Sequence, residues 1–226
     1  MEKSSPIPQS GFLSVPKQAK RLEERHTAAQ MHVHCGALDI VVDPGVYQTS
    51  TDTKLMMESV EIGQTENFLE IGCGSGAVSI AVAKRAAGGI GVDINALAVA
   101  NSVRNAQLQG VSNVEFLLSN GFEQVAGVFD VIICNPPYTR HDVHDTIDRM
   151  FWDPNDEMKE RFFKEASAHL KLNGRIYFGW ANFGDIDVDL PFRLAAENGF
   201  RLENTFSEAH NSDVTFYVLE FQRLHQ

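Results

Sequence analysis

The sequence predicts an α/β fold: a doubly wound, mostly parallel seven-stranded sheet with an antiparallel terminal strand. Three observations predict it. From residue 46 onward, short apolar runs alternate with helix-forming segments, as strands covered by helices on both faces do. A glycine cluster, Gly72-Cys73-Gly74-Ser75-Gly76, stands between one such run and the helix after it. The last two apolar runs, 200–206 and 213–221, are joined by a short polar loop, which permits a hairpin but not a parallel crossover.

The elements follow in order. Residues 1–16, with Pro6, Pro8 and Pro16, read as a mobile tail. Residues 17–31 have helix-forming composition with little apolar face, and 37–42 (ALDIVV) read as a short strand before the turn signal Asp43-Pro44-Gly45. Helices are predicted over 52–62, 76–86, 95–109, 155–170 and 188–198. Asn95 is placed to cap the third of these, and Gly110 lies just past its end. Strands are predicted over 67–72, 88–93, 113–118, 129–134 and 174–180, besides the terminal pair. Residues 1–45 are thus a tail with a small extension, and 46–226 form the main domain.

Composition bounds the function. The 226 residues suit one domain with an appendage, and 43% hydrophobic with 22% charged residues is ordinary for a globular protein. The net charge of −11 disfavours a broad phosphate-binding surface. Residues 1–45 carry five bases and five acids, so all of that charge lies beyond them. Three cysteines suit a reducing compartment. No signal-peptide core precedes the tail and no run of about 18 apolar residues occurs, so a cytoplasmic protein without a membrane partner is expected.

The glycine loop places a ligand. Glycines let the backbone turn sharply and approach a nucleotide-like group closely, and Asp93 ends the next strand about 20 residues on, where a carboxylate can accept from ribose hydroxyls. The loop reads G-x-G-x-G rather than the dinucleotide G-x-G-x-x-G, and Glu70 stands two residues before it. An acid there repels pyrophosphate and attracts an ammonium. A nucleoside joined to an amino acid meets both demands, which describes S-adenosylmethionine. The segment resembles the first motif of class I S-adenosylmethionine-dependent methyltransferases. The resemblance implies that Glu70 binds or positions the methionine amino group, that Gly72 and Gly74 pass under the cofactor, and that Asp93 holds the ribose. It further implies that Ile94 lines the adenine pocket and that Asn120 faces the adenine amino group.

A second motif, Asn135-Pro136-Pro137-Tyr138, follows the strand FDVIIC directly. Two prolines stiffen the turn and remove two N–H donors while leaving their carbonyls as acceptors. A planar amide or exocyclic amine attacks a methyl group poorly, because its lone pair is delocalised. The Asn135 side-chain oxygen and the Pro136 carbonyl can accept its two N–H protons and hold the nitrogen in line, which is positioning rather than base catalysis. Tyr138 can stack on the planar target. The motif resembles that of N-methyltransferases acting on glutamine amides or on exocyclic amines of adenine or guanine.

Residues 46–55 (VYQTSTDTKL) are similar to a segment of the release-factor glutamine methyltransferases, with Thr49 where proline is usual. That resemblance implies that Thr51, Asp52 and Thr53 border the methionine end of the cofactor; Asp52 equally suits a helix N-cap. Residues 141–157 hold six acids and one base, a rim that would favour a cationic substrate and oppose a phosphate backbone. Phe151 and Trp152 could cover the pocket or pack in the core. His32, His34 and Cys35 lack the further ligands a metal site needs, so no metal is expected. The expectation is an N-methyltransferase acting first on a protein glutamine, then on a small-molecule amine or amide, with nucleic-acid bases last. A non-catalytic subunit of the same fold is the alternative, and whether a partner subunit is needed stays open.

Overall fold

The computed structural model describes residues 5–224. Helix α1 (Ser14–Thr27) leads into an antiparallel hairpin of β1 (Met31–Cys35) and β2 (Leu38–Val42). The main sheet then comprises β3 (Asn67–Ile71), β4 (Gly88–Asp93), β5 (Val114–Leu118), β6 (Phe129–Cys134), β7 (Leu170–Ala181), β8 (Phe200–Ala209) and β9 (Thr215–Arg223). Its order is β5-β4-β3-β6-β7-β9-β8. The first five strands are parallel to one another, and β9 runs antiparallel between β7 and β8. This is the doubly wound sheet that the alternating pattern predicts.

Helices α2 (Thr51–Ser59), α3 (Ala77–Ala83) and α4 (Ala96–Leu108) pack in sequence on one another, and α5 (Glu157–His169) packs on α6 (Leu190–Glu197). With both faces covered, the central strands carry apolar residues without alternation: Val131, Ile132, Ile133 and Cys134 of β6 are fully buried. Edge strand β8 is exposed along most of its length and rich in polar residues, which blunts its free edge. No helix among the described residues is long and apolar enough to cross a membrane.

The chain leaves β3 toward β4 and β5 on one side, then returns to build β6 and β7 on the other. The carboxyl ends of β3, β4 and β6 therefore open onto one crevice at the switch point, where open α/β sheets bind ligands. The glycine loop, Asp93 and Asn135 all end strands there.

Buried asparagines attach the hairpin to this frame. Asn101 and Asn105 lie one turn apart on α4, so they share a face. Asn105 accepts from the Val41 N–H at 3.0 Å and donates to the Val41 and Ser75 carbonyls at 2.8 and 2.9 Å. Asn101 donates to Val41 at 2.9 Å. Backbone groups at the hairpin's outer edge are thereby satisfied without water.

The N-terminal segment differs from a mobile tail. Residues 1–4 lie outside the described residues, but from Ser5 onward the chain docks beside the segment following β7. Ile7 is fully buried, the Ser10 N–H donates to the Asn182 carbonyl at 2.8 Å, and the Gly184 N–H donates to Phe12 at 2.7 Å. The Gln9 side chain donates to Ile186 at 2.8 Å. Its proline and serine content reports low intrinsic order; the carbonyls it meets lie some 170 residues away in sequence, so local composition is blind to them.

Candidate active site

One large crevice is lined by the glycine loop, Asp93, Ile94, Asn120, Asn135 to Tyr138, Asp52 and Thr53, together with residues of α1 and of the loop before α5. The sequence-predicted site residues are therefore gathered in one place, with Thr51 just outside, donating to or accepting from His210 Nδ1 at 2.8 Å.

The cofactor side is a backbone cradle. Gly72 and Gly74 have φ of 79° and 55°, a region that favours glycine. A Cβ on Gly72 would meet nothing within 4 Å, so it would project into the open crevice where a ligand must pass. Asp93 ties the loop to the next strand: one carboxylate oxygen accepts from the Gly74 N–H and the other from the Asn95 N–H, each at 2.9 Å. Each oxygen keeps a lone pair for a ribose hydroxyl. Asn95 caps α4 by accepting from the Leu97 N–H at 3.0 Å. Asn120 is exposed at the crevice edge, its amide donating to Glu123 at 2.9 Å, with Ile94 beside it.

Glu70 is 2% exposed at the end of β3 and accepts a hydrogen bond from the Ser79 hydroxyl. Burial pushes its carboxyl up to about 8, against the pull of that hydrogen bond. A buried acid so poised is stabilised in its charged form when a cation arrives.

The acceptor side centres on Asn135. Its Nδ2 donates to Asp52 Oδ2 at 2.9 Å, and its Oδ1 accepts from the Tyr138 hydroxyl at 2.6 Å. The reverse amide orientation would set an oxygen against a carboxylate, so the neighbours dictate which way Asn135 points. One lone pair of Oδ1 stays free. Asp52 Oδ2 also accepts from the Tyr47 hydroxyl at 3.1 Å, and the Tyr138 hydroxyl, whose one proton goes to Asn135, lies 3.4 Å from it. The other Asp52 oxygen, Oδ1, is buried with no partner among the described residues. Asp52 is thus no mere helix cap; Ser50 and Thr53 make the capping box of α2 instead.

The two prolines have separate fates. The Pro137 carbonyl accepts from the Lys159 ammonium at 3.1 Å. Lys159 is 1% exposed and paired with Asp153 at 2.8 Å and Asp156 at 3.0 Å. No hydrogen bond reaches the Pro136 carbonyl among the described residues, which leaves it for a ligand. Tyr138 is buried, with the rings of Trp180, Phe183 and Phe216 around it at 5.8–6.1 Å. Together with Phe216 and Phe183 it makes an aromatic wall suited to a flat group.

The acidic rim is mostly structural. Asp148 is buried and accepts from the His144 N–H at 2.7 Å, with His26 Nε2 at 3.4 Å. Asp153 accepts from the first N–H groups of α5 and from Lys159. Only Asp142, Asp145 and Glu157 are exposed. Charged rim residues lining the main crevice are instead Lys17, Arg21 and Arg149, with Asp153 on its floor. The rim therefore gives no basis for a cationic substrate. Phe151 and Trp152 are both buried and both line the crevice. His32 and His34 are exposed on β1, away from the crevice.

Sequence reasoning read helix-forming composition over 17–31 but missed that the crevice is lined by α1. Its buried residues, Ser14, Gln18 and Arg25, are all polar. Ser14 and Gln18 bond the Thr139 hydroxyl at 2.7 and 2.8 Å, directly after Tyr138. Arg25 donates to the Val46 carbonyl at 3.0 Å. A helix docked through hydrogen bonds to loops leaves no apolar stripe to read.

This donor set fits S-adenosylmethionine. The cradle has room for a nucleoside, Asp93 has lone pairs a ribose could use, and the orphaned Asp52 oxygen with buried Glu70 would suit an ammonium. Comparison with known proteins agrees. Residues 37–190 match the family described as methyltransferase small domain. A protein named as an N5-glutamine methyltransferase of Methanocaldococcus jannaschii is 36% identical over 151 residues, which are 64% of this chain and 76% of that one. A release factor glutamine methyltransferase of Agrobacterium fabrum is 30% identical over 161 residues, 66% of this chain but only 56% of the relative's length. The fold is shared with the solved ribosomal protein L11 methylase of Lactobacillus delbrueckii subsp. bulgaricus, at a TM-score of 0.62 and 20% identity over 86% of this chain and 99% of that one. The chain belongs to the methyltransferase small domain family, the S-adenosylmethionine-dependent enzymes of class I fold.

Proposed function

We propose that this enzyme methylates a planar amide nitrogen, and that the amide belongs to a glutamine side chain of a protein. The observation that carries the reading is the acceptor pair. Asn135 Oδ1, oriented by Asp52 and Tyr138, and the Pro136 carbonyl, left free while Lys159 occupies Pro137, are two acceptors the turn offers together. A primary amide offers two N–H protons to such a pair. The names of the relatives support the same acceptor.

When bound, S-adenosylmethionine supplies an electrophilic methyl group. The chain's own residues do the rest. Asn135 and Pro136 accept the two N–H groups, restrict the nitrogen's rotation and favour its pyramidal, nucleophilic form. Tyr138, Phe183 and Phe216 form a wall against which the flat amide lies and which excludes water. Asn135 has no useful pKa, so it takes no proton; that proton leaves to solvent after transfer.

The test is methyl transfer to a translation release factor, read by mass spectrometry of the glutamine-bearing peptide, beside a cell extract split into protein, RNA and small-molecule fractions. A methylated glutamine is the expected result. Label confined to the RNA or small-molecule fraction overturns the acceptor assignment. Asn135→Ala should lower turnover by about 100-fold or more while S-adenosylhomocysteine affinity, measured by calorimetry, stays within about threefold.

A further inference from the structure

The crevice sets an acid and a base side by side at one end. Asp52 is 4% exposed, and its Oδ1 has no hydrogen-bond partner among the described residues. Its other oxygen accepts from the Tyr47 hydroxyl at 3.1 Å. Over the Tyr47 ring lies the Arg21 guanidinium, 5.7 Å from the centroid, and the same group lies 5.3 Å from the Phe151 centroid. Two aromatic rings hold it in place beside the Tyr47 hydroxyl, yet it makes no ion pair among the described residues. A half-buried cation without an ion pair is an incomplete arrangement.

The other two cations of the crevice are placed differently. Lys17 is exposed and lies over Phe12 at 5.5 Å. Arg149 borders Ile94 and Asn120, toward the far end of the glycine loop. Among the described cations of the crevice, only Arg21 neighbours the Asp52 carboxylate through a shared tyrosine, which bonds Oδ2 and leaves Oδ1 open. An orphaned carboxylate oxygen and a guanidinium without an ion pair one ring apart complement an α-amino acid, whose ammonium and carboxylate are separated by a single carbon.

We propose that Arg21 binds the carboxylate of the methionine moiety of the cofactor while Asp52 Oδ1 accepts from its ammonium. The inference rests on the cofactor reading of this crevice and goes beyond it, since α1 becomes part of the cofactor site. The same helix holds Thr139 through Ser14 and Gln18, so a carboxylate drawn to Arg21 also fastens the turn that carries Asn135. Arg21 is a bidentate donor for a carboxylate, which lysine is not.

The experiment is calorimetry of two ligands against three proteins. S-Adenosylhomocysteine carries the amino acid; 5′-methylthioadenosine carries the same nucleoside and sulfur without it. Arg21→Met should weaken S-adenosylhomocysteine by about 10- to 100-fold, the worth of a charged hydrogen-bonded pair, and 5′-methylthioadenosine by less than about twofold. Arg21→Lys should recover part of the loss. Equal weakening of both ligands assigns Arg21 a purely structural role and overturns the proposal, as does unchanged S-adenosylhomocysteine affinity in Arg21→Met. Unchanged S-adenosylhomocysteine affinity with a raised KM for the acceptor moves the carboxylate to the acceptor and likewise refutes it. If the wild-type protein binds neither ligand at millimolar concentration, the cofactor reading itself fails.

Discussion

Gly179, on β7, packs against Asn135, and adding one methyl group there should cost activity without deleting any polar group. A Cβ built on Gly179 lies 3.0 Å from Asn135 Cγ and 3.3 Å from Asn135 Cα, with Asn135 Oδ1 closer still. Carbon atoms in contact prefer about 3.5–4.0 Å. The Asn135 amide must therefore retreat by roughly 0.5–1 Å in Gly179→Ala, and its oxygen by more. Nothing else can yield easily, because Trp180 and Phe178 on either side are fully buried. The retreat moves the nitrogen acceptor out of line and stretches the hydrogen bonds to Asp52 and Tyr138. A displacement near 1 Å at a positioning group costs about 100-fold in turnover. Overpacking should lower stability by about 1–3 kcal/mol. The assay is the initial rate of labelled methyl transfer at saturating acceptor, beside chemical denaturation and calorimetry with S-adenosylhomocysteine. A loss of kcat near 100-fold with cofactor affinity changed less than about threefold is the expected split. Turnover within about threefold of wild type would show that Asn135 Oδ1 need not occupy its observed position, and would refute the acceptor-pair mechanism.

Three further outcomes follow from buried charge. Lys159→Met removes the ammonium that joins Pro137 to Asp153 and Asp156, and should lower unfolding free energy by about 3–5 kcal/mol because Asp153 is left buried and unpaired; urea denaturation measures it, and a loss below about 1 kcal/mol would contradict the pairing. Glu70 has a folded-state value raised to about 8, so stability of the ligand-free protein should fall as pH rises from the ordinary carboxylate range to about 8, and Glu70→Gln should flatten that slope in thermal melts across pH. The ammonium of the cofactor favours the charged form, so binding at pH 7 should release a proton, seen as a dependence of calorimetric heat on the buffer's ionisation enthalpy. A buffer-independent heat would place Glu70 away from the ammonium.

Much of this protein can be read along the chain. The sheet's strands are continuous apolar runs such as FDVIIC, because burial on both faces demands it, and local spacing reports burial. The glycine loop, Asp93 and the Asn-Pro-Pro-Tyr turn are local in sequence because each ends a strand at the same edge of the sheet. What spacing does not carry is which distant group completes each site. Asp52 and Asn135 are 83 residues apart, and Lys159 reaches Pro137 across 22. The rim acids misled for the same reason: charge is countable in sequence, but Asp148 and Asp153 spend theirs on backbone N–H groups and a buried lysine. Gly179 carries no local signal, since its reason is the Asn135 side chain packed against it from another strand.

The sequence by itself determined the class of the fold, the glycine loop and the rigid Asn-Pro-Pro-Tyr turn, since these depend on periodicity and on backbone freedom within a few residues. Tertiary structure alone decided the direction in which Asn135 points, which proline carbonyl is free, and that polar helix α1 closes the crevice with Arg21. Those are matters of hydrogen-bond pairing between segments far apart in the chain, and a polar residue's partner is not written in its neighbours.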